Sequence, residues 1–171
     1  MRSAPLLVTF LILVSLIAAG CLFWEEIALA VSIPAPITGE GSYQYGGTAV
    51  AISVKSEDVS THSPLARILF FKALALSTQY AEYNESIPYF DKALTVDENF
   101  TVAWVGRGVT FHNLHRYAEA VSSYDRALAL NGNDATVWQL KGITLNDMGE
   151  ESEAAECTRR AVALATAGKG K

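Results

Sequence analysis

Between residues 101 and 167 the apolar positions follow a helical period, and they follow it in pairs of segments. Trp104, Gly108 and Phe111 stand at i, i+4 and i+7, which stacks them on one helix face, with the glycine as a notch where a second helix can approach. Ala120, Tyr124, Ala127 and Leu128 keep the same spacing after a polar break at Asn113 to Arg116. Asn131-Gly132-Asn133 then stops the second segment. The unit is a helical hairpin whose apolar face is too large to bury alone.

The pattern returns at a period of 34. Trp104, Gly108 and Phe111 recur as Trp138, Gly142 and Leu145, and Ala120, Ala127, Leu128 and Leu130 recur as Ala154, Ala161, Val162 and Leu164. Running backwards, Tyr117, Tyr124, Asp125, Arg126, Ala127 and Leu128 are preceded by Tyr83, Phe90, Asp91, Lys92, Ala93 and Leu94. Such a repeat places residues for packing one unit on the next, not for converging on one reacting atom. The first unit keeps this register in its first helix if one extra residue is allowed near Gln79, which puts Leu69, Ala73 and Leu76 where Trp104, Gly108 and Phe111 stand. Ser63-Pro64 has the form of a helix start, a hydroxyl cap followed by a proline in the first turn.

On these residues the chain resembles the tetratricopeptide repeat family. The order Trp104, small residue, aromatic, Tyr117, Ala120, aromatic, Ala127 carries the resemblance, and 135–167 and 66–100 read as further copies around 101–134. It departs from the family in two places: Glu98 and Gly132 stand where the inter-repeat turn usually has proline, and Thr158 stands where the other copies have an aromatic. The resemblance implies an all-α array of three hairpins over 64–171, wound into a right-handed superhelix. It also implies a concave groove lined by the first helix of each unit. Val102, Val105, Val109, His112 and Asn113 would line it in the second unit, Thr136, Gln139, Ile143, Asn146 and Asp147 in the third, and Phe70, Leu74 and Ser77 in the first. An apolar stripe edged by amides fits a peptide segment of a partner protein. The Lys, Arg and Asn set with which some relatives clamp a C-terminal carboxylate is absent.

Composition changes the picture at the N-terminus. No residue from Leu6 to Trp24 is charged, and nineteen helical residues at about 1.5 Å each span roughly 28 Å, close to the ~30 Å core of a bilayer. Arg2 precedes this run and Glu25 and Glu26 follow it, which orients the N-terminus to the cytoplasm and the repeats to the extracytoplasmic side. Residues 1–24 therefore read as a cleaved signal peptide, an uncleaved anchor, or a lipoprotein signal. In the third case Ala18-Ala19-Gly20 leads into Cys21 as the acylated residue. Residues 25–63 are a linker rich in Pro, Gly and Ser, with a short β-hairpin expected over 43–54 from Tyr43-Gln44-Tyr45, Gly46-Gly47 and the alternation of Val50, Ile52 and Val54.

Candidate chemistry is sparse. His112 and His115 have a chelating i, i+3 spacing, with Asp147 as the acid of an alternative metal-binding or enzymatic reading, but the plain expectation is a pair of exposed turn histidines and no metal, cofactor or catalytic residue. Cys157 reads as a small packing residue. A net charge of -5 with no basic run argues against nucleic acid. Asn84 and Asn99 begin glycosylation sequons. A closing polar helix of the kind many such arrays carry is not expected from Gly168 to Lys171. The last helix is therefore expected to leave Ala155, Cys157, Val162 and Leu164 partly uncovered, Ala154, Thr158, Ala161 and Val162 turned to its own hairpin, and a homodimer through that end.

Overall fold

The computed structural model describes residues 59, 61–79 and 81–167. Segment 1–24, Cys21 and the hairpin expected over 43–54 lie outside them. Six helices order the described residues: α1 (Pro64–Gln79), α2 (Tyr83–Val96), α3 (Thr101–Asn113), α4 (Tyr117–Leu130), α5 (Ala135–Met148) and α6 (Glu151–Ala167). Among the described residues no helix is long and apolar enough to cross a membrane.

Local chemistry sets the helix limits. Ser63 Oγ accepts from Ala66 N at 3.1 Å, so α1 starts on a capping hydroxyl with Pro64 as its first residue. Asp134 caps α5 in the same way, Oδ1 accepting from Thr136 N at 2.9 Å and Val137 N at 3.2 Å. The turn inside each hairpin needs one left-handed residue, and three residues 34 apart supply it: Ala81 (φ 53°), His115 (φ 58°) and Gly149 (φ 87°). The same turns close with one repeated backbone bond, Glu82 N to Leu76 O, Arg116 N to Phe111 O and Glu150 N to Leu145 O, each 2.9 Å. The donors are 34 apart throughout, while Leu76 and Phe111 are 35 apart, so the extra residue of the first unit lies between Leu76 and Glu82.

Helices pair as α1 with α2, α3 with α4 and α5 with α6, and each second helix also packs on the first helix of the next unit. The core between units two and three joins Val105, Phe111, Ala120, Tyr124, Ala127 and Leu128 to Val137 and Leu140. Gly108 is the notch against Tyr124: a Cβ there would lie 2.5 Å from Tyr124 Cε1. Gly142 opens the same notch with more room, since a Cβ would meet Cys157 Cβ at 3.2 Å. Between units one and two a third notch appears at Gly106, whose Cβ would lie 2.7 Å from the Phe90 ring.

Two further bonds repeat with the units. The indole Nε1 of Trp104 donates to Glu98 O and that of Trp138 to Gly132 O, both at 2.8 Å, tying each first helix to the turn before it. Arg107 bonds Asp91 at 2.7 Å, and Lys141 bonds Asp125 at 2.5 Å, across successive units. Ahead of the first unit, Val59 is buried and His62 stacks on Phe100 at 4.1 Å while pairing with Asp97 at 2.5 Å.

Candidate functional site

The first helices define a surface of their own. α1 touches α3 and α3 touches α5, so the first helices of successive units lie side by side. Along α3, Val102, Val109 and Asn113 are half-buried, and along α5 so are Thr136 and Ile143, with Gln139, Asn146 and Asp147 exposed beside them. Of the ten residues expected to line a groove in these two units, eight are thus at least partly exposed.

Val105 and His112 are not. Val105 is 4% exposed and belongs to the core between units, because the close stacking of α3 on α5 turns that side of α3 inward. His112 is 5% exposed, not an exposed turn histidine. Its Nδ1 lies 3.1 Å from Thr144 Oγ1 and its Nε2 lies 3.5 Å from Asp147 Oδ2. Phe70 and Leu74 are likewise buried in the first unit, Phe70 in an aromatic group with Phe90 and Phe100 at 6.2 and 4.9 Å between ring centroids. Ser77, the third residue expected there, is half-buried, as are Arg67 and Phe71 on the same helix. Arg67 is 35 residues before Val102, a position that the repeat gives once the insertion is placed. Thr144 gave no signal in sequence, because its role depends on His112 reaching across from another unit.

Burial pushes the His112 imidazole below its ordinary value of 6.5. Asp147 opposes that and His115 adds to it. A neutral, hydrogen-bonded histidine inside a unit interface is a packing element. His115 Nδ1 sits 2.8 Å from Tyr117 Oη, on the far side of a turn. Among the described residues no three His, Cys, Asp or Glu side chains are placed to hold a metal ion.

The remaining predicted positions fall as follows. Phe111, Ala120, Tyr124, Ala127, Leu145, Ala154 and Ala161 are buried with Gly108 and Gly142, while Trp104 and Trp138 are half-buried over the turns they bond. Cys157 is 4% exposed rather than left at an open end, since Ala154, Cys157 and Ala161 form the face that α6 turns to α5. Burial raises its thiol pKa, which makes it a poor nucleophile. Thr158, expected on that face, is exposed; Val162, expected both there and among the uncovered residues, is exposed with Ala155, and Leu164 is half-buried. Asn84 and Asn99 are exposed, in the first turn of α2 and between α2 and α3.

Residues 102–134 match the tetratricopeptide repeat family model. No curated protein matches the sequence. Solved structures share the fold of tetratricopeptide arrays with this chain. A crystal structure of MamA superposes with a TM-score of 0.60 at 14% identity over 62% of this chain and 61% of that one. The first tetratricopeptide domain of Spaghetti (RPAP3), bound to the HSP90 peptide SRMEEVD, gives 0.57 at 24% identity over 60% and 80%. The Sgt2 tetratricopeptide domain from Aspergillus fumigatus gives 0.58 at 16% over 61% and 69%. The chain thus spans less than two thirds of the MamA structure it resembles.

Proposed function

We propose that this protein is a non-catalytic, membrane-tethered interaction module whose concave groove takes a peptide segment of a partner protein. The observation that supports the reading is the half-buried aliphatic set Val102, Val109 and Ile143 on the first helices of two units, with Asn113, Gln139 and Asn146 on the same helices. Aliphatic side chains supply burial and amides supply donors and acceptors for a peptide backbone. A tetratricopeptide domain of similar fold has been solved with a peptide bound, which supports the same use here. Asp147 is exposed one turn after Ile143, so a free carboxylate terminus is disfavoured there and an internal apolar segment is favoured.

The test is a displayed peptide library selected on the full chain, followed by titration of the selected peptides. Val109→Asp and Ile143→Asp are expected to weaken binding about tenfold or more, because each places an unpaired charge where apolar surface is to be buried. Ser122→Asp, on an exposed turn of α4, should leave it unchanged. Peptides that bind all three variants equally would sink the groove reading.

The tether is part of the proposal. It rests on the uncharged run from Leu6 to Trp24 and on Arg2 before it and Glu25 and Glu26 after it, and it puts the repeats on the extracytoplasmic side of the cell membrane. Release from the membrane on Cys21→Ser would identify a lipoprotein anchor. Protection of the repeats from protease added to intact cells would overturn the orientation. A second copy as a partner through α6 completes the proposal.

A further inference from the structure

Each second helix carries one face to the next unit, and that face follows the repeat. On α2 it is Ile87, Asp91 and Leu94; on α4 it is Val121, Asp125 and Leu128. Ile87 packs on the core between units two and three, Val121 packs on the group formed by Leu145, Ala154 and Cys157, and Leu94 and Leu128 are 7% and 9% exposed. In both helices the central aspartate takes a cation from the next unit, Arg107 for Asp91 and Lys141 for Asp125.

The same three positions on α6 are Ala155, Arg159 and Val162. The apolar residues are smaller and exposed, Val162 by 57%, and the charge is reversed. A surface built like this rejects the usual occupant, a first helix bringing a cation to that place, and asks for a helix that brings an acid. One turn before Ala155, on the same side of α6, stands exposed Glu151. The face therefore reads Glu151, Ala155, Arg159, Val162, with the acid and the base each four residues from a small central residue.

We propose that α6 pairs with α6 of a second copy, antiparallel and crossing at Ala155. A two-fold axis through Ala155 sets Glu151 of each copy against Arg159 of the other, about 6 Å along the helix from the axis at 1.5 Å per residue. Ala155 meets its own equivalent there, and two methyl groups allow the helices a close approach. Val162 gains cover beyond the ion pairs. Arg159 is free to exchange at little cost. Its present partner is Glu156, one turn earlier on its own helix at 2.5 Å, and its side chain is 74% exposed. Burying one face of a single helix per copy makes a small interface and a weak, reversible dimer. Copies held on one membrane meet at raised effective concentration, which favours the pair. The pairing gives a geometry to the second-copy contact of the proposed function and is independent of what the groove binds.

Sedimentation of the full chain in mild detergent at low salt, over a range of concentrations, reads the association. Arg159→Glu and Glu151→Arg are each expected to raise the dissociation constant about tenfold or more, since each sets like charges face to face, and the two together should restore the native value. In a Cys21→Ser chain, Ala155→Cys should form an intermolecular disulfide on mild oxidation, while Glu153→Cys, on another side of α6, should not. Cys157 is buried and adds no cross-link of its own. A chain that stays monomeric at every concentration overturns the pairing. A dimer indifferent to both reversals, or cross-linked at 153 and not at 155, overturns this contact. Peptide binding to the same variants is scored separately, so failure of the groove reading and failure of the pairing are distinguished.

Discussion

Gly108 and Gly142 occupy one position of the repeat and yet differ in what they permit. The Tyr124 ring, fully buried, lies where a Cβ on Gly108 would go, whereas Gly142 faces Cys157, Ala154 O and Thr158 Oγ1 at 3.2 to 3.3 Å. Alanine improves helix propensity by about 0.8–1 kcal/mol over glycine at either site. At Gly108 the clash with the ring outweighs that gain, so Gly108→Ala is expected to destabilise by roughly 1–2 kcal/mol net. Gly142→Ala should stay within about 1 kcal/mol of the native protein. Urea midpoints of the two variants check the difference. The left-handed position gives a second pair of expectations. Ala81 holds φ 53° with a side chain where Gly149 holds φ 87° without one. Ala81→Gly should therefore stabilise by about 0.5–1 kcal/mol, and Gly149→Ala should cost about 1 kcal/mol. Equal melting temperatures for both would mean that the turns do not demand this conformation.

Among the elements, the turns between units show how the array does without its usual proline. The backbone bonds around Gly132 run from Asn131 N to Ala127 O and from Asp134 N to Asn131 O, and leave the Gly132 amide out. Asn131 stands at φ -139°, ψ 88°, outside the helical region that proline disfavours in the residue before it. A Cβ at Gly132 meets only Leu128 O, at 3.5 Å. Gly132→Pro is thus expected to stabilise by about 0.4–1 kcal/mol, chiefly by restricting the unfolded chain, and to raise the melting temperature. A lower melting temperature would show that the turn needs a freedom proline lacks. What fixes the turn in the native protein is the bond from Trp138 Nε1 to Gly132 O, and its counterpart from Trp104 to Glu98 O, so each tryptophan works on the turn before it as well as on the hairpin it belongs to.

For the whole molecule, His112 makes unit stacking sensitive to pH. Its folded pKa lies below the unfolded value of about 6.5, chiefly through burial, with Asp147 opposing and His115 adding. The unfolded chain then takes up the proton first as pH falls. The contribution to stability is whole above about pH 6.5 and is lost as pH falls from there through the folded pKa. The urea midpoint should decline between pH 7 and 5. His112→Gln, which keeps a polar group near Thr144 without titrating, should flatten the part of that slope that belongs to this site. An unchanged slope would mean that His112 is protonated without cost where it stands. Asp147, the acid beside it, is 39% exposed, so a peptide bound in the proposed groove and protonation of His112 are expected to be felt by each other.

The repeat itself was legible in the chain. The period of 34 gives the hairpins, the glycine notches at Gly108 and Gly142, the capping Ser63 and the single insertion in the first unit, because those features depend on spacing along a helix and on local chemistry. The stacking of units decided the rest. Val105, Phe70, Leu74 and His112 look like groove residues when each first helix is taken alone. They are buried because a neighbouring helix covers the side of the helix they occupy, and the spacing within one helix does not say how far round that cover extends. Cys157, read both as a packing residue and as one left uncovered, is buried, and Thr158, expected against its own hairpin, is exposed, because how α6 lies on α5 is set by packing against its neighbour and not by the sequence of α6 alone. Sequence fixes the period of a helical repeat, since period is a local property. Which face is inside, which charge meets which, and which residues remain for a partner are properties of one unit lying against another, and only the tertiary structure decides them.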